Sequence, residues 1–309
     1  MHPGRIIRSL YDSSMGEPVR SLHFRRAVRR EGKTAKSVAE RLGYDMTAET
    51  VRLKFAEQTT KTCFILGSGS SVSELNDEAF QHIRTGFSVG INSWVSHPFV
   101  ADAYSFEADG LADGNTSEVA AMSEDLRLKA SASPGLSVFL LRPKRVDLAH
   151  RMVEVPNVLQ NSTFMYGRQN LLTARDENLE SDVQFGLRAT AELFRSTRVV
   201  IDNGASVVRL IALFSILGFK RIVLVGIDLN SNPYFWFDGS KSRVHERLRR
   251  NYKRPSGVVH GTQARGGRPF ATDDFISVMS PQLRDSLGVS VYVGSHSSAL
   301  AGRLPVYTW

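Results

Sequence analysis

Short runs of apolar residues recur along the chain after Lys61, and each run ends in small or polar residues. They cover residues 63–66, 87–91, 103–106 and 137–141, and two more begin the stretches RIVLVGIDL (221–229) and VSVYVGSHSS (289–298). Apolar runs of this length, bounded by turn-forming residues, are typical of strands that are buried on both faces of a parallel sheet. We therefore predict a strand at each of these positions.

Longer stretches with helical character lie between the predicted strands. The segment NGASVVRLIALFSILGF, residues 203–219, is apolar almost throughout and has Gly218 near its end, which predicts a helix packed against the sheet. A second helix is predicted over residues 272–287. Strands that alternate with helices indicate an α/β fold with a largely parallel, Rossmann-like sheet and helices on both faces. We assign residues 61–309 to this domain, with a basic lid at about residues 229–270.

Residues 1–60 differ from the rest of the chain because they are polar and rich in charge. Apolar residues follow helical spacing on both sides of Gly43, and the run HFRRAVRR at residues 23–30 is basic. We predict a basic, helical or flexible N-terminal extension. The basic run is either a solvated arm or helix face, or a contact for an anionic membrane surface or partner.

Composition and charge narrow the class of protein. The chain has 309 residues, 42% of them hydrophobic, and a single cysteine, so it is neither disordered nor collagen-like nor built on disulfides. Residues 241–268 hold nine basic residues and one acidic residue, which accounts for the whole net charge of +8. A diffuse nucleic-acid-binding surface would not concentrate its charge in this way. Without an apolar span or a signal-peptide core, we expect a cytoplasmic protein that is at most peripheral to the inner face of the cell membrane.

A glycine-rich turn follows the first predicted strand. Open α/β sheets bind ligands at the carboxyl ends of their strands, and this turn contains Gly67, Ser68, Gly69 and Ser71. Glycine lets backbone N–H groups approach a phosphate at this position. The turn matches neither the dinucleotide fingerprint nor the P-loop, so a purely structural turn is the alternative.

The other strand ends add short polar side chains. Asn92 and Ser93 follow the second strand, where the Asn92 carboxamide can pair with a base or ribose, or cap a helix. Ser206 lies near the start of the apolar helix, whose dipole favours an anion there. Asp228 and Asn230 follow the next strand, and Asp228 either contacts a ligand or caps the following segment.

The motifs ILGSGSS and ILGFKRIVLVGIDL, a strand ending in Asn, a His ahead of a Thr-Asp helix and a last strand leading into Ser-x-Leu occur in this order. The combination resembles the bacterial sialyltransferases of glycosyltransferase family 42 and, more distantly, the sialyltransferase-like domains of motility-associated factors. The likeness covers about residues 62–306. It implies a metal-independent, inverting transferase with one nucleotide-sugar-binding catalytic domain of Rossmann type and a lid, which uses a CMP-activated nonulosonic acid.

The resemblance also implies roles for individual residues. His260, ahead of the Thr272-Asp273 pair, would be the base that deprotonates the acceptor hydroxyl. Contacts to the donor and its nucleotide are implied for Ser68, Gly69, Asn92, Ser206, Tyr234 (or else Trp236), Ser297 and Ser298.

The basic segment allows three interpretations. As a mobile lid, it would place Arg243, Arg247 and Arg250 near the departing phosphate. The alternatives are a solvated basic helix and a patch that binds anionic lipid.

One position departs from the family. Glu107 stands where the family has an asparagine, and with Asp109 it forms an acid-x-acid pattern. A carboxylate there would repel an anionic donor unless a cation or an arginine intervenes. The departure indicates a different donor, an arginine partner from the lid, or a divalent metal held by Glu107 and Asp109, although a metal is not expected.

Together these patterns predict a glycosyltransferase that moves sialic acid or a related nonulosonic acid from a CMP donor to a surface glycan or glycolipid. No cofactor and no nucleic-acid partner are expected, and a homo-oligomer is compatible with the sequence. One alternative is an ATP- and Mg²⁺-dependent pyrophosphokinase of the pterin type, which has a similar fold. Another is a non-catalytic nucleotide- or nucleic-acid-binding module.

Overall fold

The computed structural model describes residues 17–56, 61–107, 116–133, 135–143, 153–171, 178–230, 234–237, 246, 248–249 and 270–309. The strands in this part of the chain are β1 (Thr62–Leu66), β2 (Phe87–Ile91), β3 (Ala103–Glu107), β4 (Ser137–Leu141), β5 (Thr163–Asn170), β6 (Val199–Asp202), β7 (Arg221–Val225) and β8 (Ser290–Val293). They form an eight-stranded sheet in which every pairing is parallel.

The strand order is β6-β5-β4-β3-β2-β1-β7-β8. The chain adds strands outward from β1 to β6, then crosses back to place β7 on the free side of β1. Leu66 pairs with Val225, so β1 and β7 end level with each other. Their connections leave in opposite directions, which makes this the topological switch point, where open α/β sheets bind ligands. The fold is Rossmann-like.

Helices cover both faces of the sheet, as predicted. They are α1 (Glu17–Arg41), α2 (Ala48–Ala56), α3 (Asp77–Ile83), α4 (Thr116–Ala132), α5 (Leu179–Thr197), α6 (Ser206–Ile216) and α7 (Thr272–Leu287). Apolar side chains of α2, α5, α6 and α7 pack in one core layer, those of α3 and α4 pack in the other, and α1 contributes to both. None of the helices in these ranges combines the length and the hydrophobicity that a membrane span requires.

The N-terminal helix α1 belongs to the core. Phe24 and Val28 are buried, and the Phe24 ring meets Phe185 of α5 edge to face at 5.3 Å. Gly32 touches the end of α5 so closely that a Cβ atom there would lie 2.6 Å from the carbonyl oxygen of Thr197. Glu17–Arg41 and Ala48–Ala56 are helical, and an apolar stripe on α1 is covered by the sheet, so the basic residues of α1 lie on the solvated face of a packed helix.

The lid assigned to residues 229–270 lies mostly outside the described residues. At its start, residues Phe235–Phe237 form a short 3-10 helix whose side chains pack in the same core layer as α3 and α4. The buried Leu248 contributes to that layer as well.

Candidate functional site

The glycine-rich turn and the segment after β7 meet at the switch point. The N–H groups of Gly67 and Gly69 donate to the carbonyl oxygens of Val225 and Gly226. A Cβ atom on Gly67 would lie 2.7 Å from the Gly226 carbonyl oxygen, and one on Gly69 would lie 2.3 Å from Oδ2 of Asp228. The turn is therefore glycine-rich because two backbone segments pack against each other, whether or not a phosphate binds there.

Asp228 holds the turn from the β7 side. Its carboxylate accepts a hydrogen bond from the Ser71 N–H at 3.0 Å and another from the Ser71 hydroxyl. It thus caps the 3-10 helix Ser70–Glu74 rather than the segment that follows β7. Because the buried carboxylate already occupies the Ser71 N–H, this amide is not available to a phosphate.

Among the described residues at this edge, Asn92 presents a partly exposed carboxamide. It follows β2 in the left-handed backbone region, with φ of 47°, and is half-buried. Its carboxamide forms no hydrogen bond with the described residues, and Ile91 occupies the N-cap position of the short helix that follows. A non-glycine residue in this region costs free energy, and such strain concentrates at binding sites. The amide offers a donor and an acceptor to a ligand.

Serine hydroxyls and an aromatic segment lie at the same edge of the sheet. The hydroxyls of Ser68 and Ser93 lie 3.2 Å apart and link the ends of β1 and β2. The backbone of Tyr234 forms an isolated antiparallel β-bridge with Gly69. The Tyr234 ring stacks on that of Trp236 with centroids 4.6 Å apart. Trp236 is fully buried whereas Tyr234 is only partly so, which makes Tyr234 the better candidate of the two for contact with a donor.

A second polar cluster lies further along the same edge and is organised by Arg209. This side chain projects from α6, is fully buried, and donates to Asp202 at 2.7 Å and to Glu107. Ser206 at the start of α6 also donates to Glu107. The carboxylate of Glu107 therefore occupies the place at the α6 N-terminus where an external anion was expected.

The positive and negative side chains of this cluster neutralise one another. Burial by itself would lower the pKa of Arg209, but the carboxylates of Glu107 and Asp202 outweigh it and raise the pKa above its ordinary value. Arg168 adds a second cation, 3.6 Å from Asp202. Burial also raises the pKa of Tyr166, which bonds to Arg209.

The arginine beside Glu107 thus comes from α6, whereas an arginine from the lid was one of the three explanations that the sequence left open. Because the charge of Glu107 is already balanced, this carboxylate is a poor ligand for a divalent cation. Its proposed co-ligand Asp109 lies outside the described residues. The described residues contain no group of three or more His, Cys, Asp or Glu side chains placed to hold a metal ion.

The serines after β8 are bound to neighbouring segments. Ser297 donates to Glu74 at 2.7 Å, and its carbonyl oxygen accepts from the Asn230 amide at 2.8 Å. The hydroxyl of Ser298 donates to the Ile227 carbonyl oxygen at 2.8 Å. These contacts fasten the β8 end to the switch point, so that both serines have a structural role here.

The predicted base and the lid cations are not among the residues brought together here. His260, Arg243, Arg247 and Arg250 lie outside the described residues, and their roles remain predictions.

Two residues at this edge were not among the site residues predicted from the sequence. Arg209 had one signal, a lone charge inside an apolar helix, which implies buried carboxylate partners. Asn203 follows β6, and both polar atoms of its carboxamide are buried without a hydrogen-bond partner in the described part of the chain.

Comparisons with known proteins return structural similarity only. No protein family matches the sequence, and no curated protein matches it. The structure is similar to a monofunctional α-2,3-sialyltransferase of Campylobacter jejuni, with 15% identity, a TM-score of 0.44 and 82% of each chain covered. An apo form of an α-2,3-sialyltransferase from the same organism gives 15% identity, a TM-score of 0.43 and the same coverage.

Proposed function

We propose that the protein is an inverting glycosyltransferase that transfers sialic acid or a related nonulosonic acid from its CMP-activated form to a glycan or glycolipid. The observation that carries the proposal is the partly exposed Asn92 carboxamide, held by left-handed backbone at the end of β2, where the Ser68–Ser93 contact links this strand to β1 of the switch point. A donor-and-acceptor amide at this edge suits the base or ribose of a nucleotide. The order of motifs in the sequence supports the choice of CMP and of the sugar class.

The reaction needs few groups from the protein. His260 removes the proton from the acceptor hydroxyl as its oxygen attacks the anomeric carbon from the face opposite the nucleotide. The bond from that carbon to the phosphate oxygen breaks, and CMP leaves with the bonding electrons. Lid arginines Arg243, Arg247 and Arg250 stabilise the charge that develops on the phosphate.

The Arg209 cluster is compatible with an anionic donor. An unpaired Glu107 would repel the carboxylate of a nonulosonic acid, whereas the ion pair with Arg209 leaves the pair neutral. The same pairing disfavours the pyrophosphokinase alternative to the extent that this alternative uses Glu107, together with Asp109, to bind Mg²⁺. The donor phosphate is then bound near Ser68, Ser93 and the lid, rather than at the start of α6.

The experiment is to measure CMP release from CMP-sialic acid in the presence of a panel of glycan acceptors. We expect Asn92→Ala to raise KM for the donor about tenfold, as for the loss of a hydrogen-bonded contact. We expect His260→Ala to lower kcat by a factor of about 100 or more, as for the loss of a general base. The exposed Asn157→Ala is the control and keeps wild-type kinetics. Donor binding without turnover on any acceptor, or release that requires neither residue, would contradict the proposal.

A further inference from the structure

The outward face of α1 is strongly basic. Between Val19 and Arg41 it exposes six cationic side chains and a single acidic one, Glu40. The cations are Arg26, Arg29, Arg30, Lys33, Lys36 and Arg41. The buried stripe of the same helix is apolar, so α1 has a core face and a separate cationic face.

Four of these cations have no anionic partner among the described residues. The side chains of Arg26, Arg29, Arg30 and Lys33 form no ion pair or hydrogen bond with the parts of the chain that the structure describes. Their spacing of i, i+3, i+4 and i+7 places them on one side of the helix, along about 10 Å. Cations of α1 that face the fold are paired instead, as Arg25 is with Glu192 at 2.7 Å.

Exposed apolar side chains precede the cations on the same face. Val19 and Leu22 are 40% and 46% exposed, one to two turns before Arg26. Arg20 approaches Asp182 near the start of α5 at 3.9 Å. Because α5 follows β5, this end of α1 lies toward the carboxyl edge of the sheet, the edge that carries the candidate site.

We propose that this face of α1 docks the protein on an anionic lipid bilayer. The four unpaired cations bind the phosphates of lipid headgroups, and Leu22 and Val19 insert between the headgroups. An apolar pair beside the cations fits a bilayer better than a nucleic acid or an acidic polysaccharide, neither of which offers an apolar layer to an aliphatic side chain. The inference does not depend on the proposed reaction.

Co-sedimentation of the full chain with lipid vesicles tests whether the cations of α1 bind anionic lipid. We expect binding to phosphatidylcholine vesicles that contain phosphatidylglycerol, little binding to phosphatidylcholine alone, and weaker binding at high salt. The variant R26Q/R29Q/R30Q/K33Q should lose at least about a hundredfold in vesicle affinity, since each cation contributes to the attraction. The matched control, K61Q/K220Q/R221Q/R284Q, removes the same charge around the opposite edge and should stay within about threefold of wild type.

A second variant distinguishes a bilayer from another polyanion. Leu22→Asn should weaken binding to anionic vesicles about tenfold, by the loss of an inserted side chain, and should leave binding to heparin or RNA unchanged. All replaced side chains are exposed, so melting curves should match wild type. An equal loss of vesicle affinity in R26Q/R29Q/R30Q/K33Q and in the matched control would overturn the proposal. Vesicle binding that changes neither in R26Q/R29Q/R30Q/K33Q nor in Leu22→Asn would contradict it as well. Binding to heparin or RNA but not to anionic vesicles would also overturn it.

Discussion

Arg209 is a buried cation in an otherwise apolar helix, and its guanidinium joins the ends of three strands. It contacts Glu107 of β3, Asp202 of β6 and Tyr166 of β5. Burying these charges carries a desolvation cost that only mutual pairing offsets. Removal of the cation alone would therefore leave carboxylates without a partner inside the protein.

Arg209→Met should lower the free energy of unfolding by about 3–5 kcal/mol, the usual cost of breaking a buried ion pair from one side. Arg188→Met changes an exposed arginine of α5 and should cost no more than about 0.5 kcal/mol. Urea denaturation of both variants measures the difference. Equal stability of the two would show that the Arg209 cluster does not hold these strand ends together.

Gly226→Ala tests the close packing at the switch point. The residue has φ of +63°, and a Cβ atom would lie 2.4 Å from the carbonyl oxygen of Gly67. Gly43 also has a positive φ, of +72°, but nothing lies within 4 Å of its Cβ position. We expect the alanine at Gly43 to cost about 1 kcal/mol for backbone strain, and the one at Gly226 about 3 kcal/mol because crowding is added. The denaturant midpoints of the two variants measure these losses of stability. Similar losses in Gly43→Ala and Gly226→Ala would contradict close packing at Gly226.

At the scale of single residues, sequence reasoning found the positions that follow strands. Gly67, Asn92 and Asp228 were singled out because each ends an apolar run, and each lies at the carboxyl edge. The partners of these residues could not be predicted. That Asp228 binds the Ser71 amide, and that Glu107 meets Arg209, depends on which strands become neighbours, which a single sequence does not reveal.

The element α1 combines a buried face with a solvated one. It contains eight arginines and lysines, yet Phe24, Val28 and Ala35 fall on one side and are buried. The basic run is therefore the solvated face of a helix, one of the interpretations that the sequence allowed, and the helical spacing of the apolar residues indicated the packing.

Phe24→Ala should therefore destabilise the whole domain, by about 3 kcal/mol or more, because it leaves a cavity between α1 and α5. Leu22→Ala, two residues earlier on the exposed side, should change the free energy of unfolding by less than about 0.5 kcal/mol. Chemical denaturation followed by circular dichroism checks both. A small effect of Phe24→Ala would mean that α1 is not part of the cooperative core.

Among the strands, burial decided what could be predicted. β2 and β4, and the helix α7, have the predicted bounds, because each forms one uninterrupted apolar or amphipathic segment. The prediction missed β5 and β6. The second half of β5, GRQN, is polar because it pairs only with β6, and β6 has only four residues. All four residues of β6 are buried, but a run this short gives a weak pattern in the sequence.

At the scale of the whole molecule, the strand order determines which loops can share a ligand. Because β7 returns to the side of β1, the glycine-rich turn, the Asn92 segment and the start of the lid converge at one edge, although about 140 residues separate Asn92 from Tyr234 in sequence. The alternation of strands and helices predicted the fold class, but not the place of β7 in the sheet.

The central claim is that this edge binds a cytidine monophosphate group without a metal ion. Thermal unfolding in the presence of CMP, CDP, UDP, ADP, ATP or NAD, each with and without Mg²⁺, tests it most directly. We predict that CMP at about 100 times its Kd raises Tm by about 5 °C without metal, and that Asn92→Ala, which weakens binding about tenfold, reduces this shift to about half. Stabilisation by ATP that requires Mg²⁺, or no stabilisation by CMP, would contradict the account.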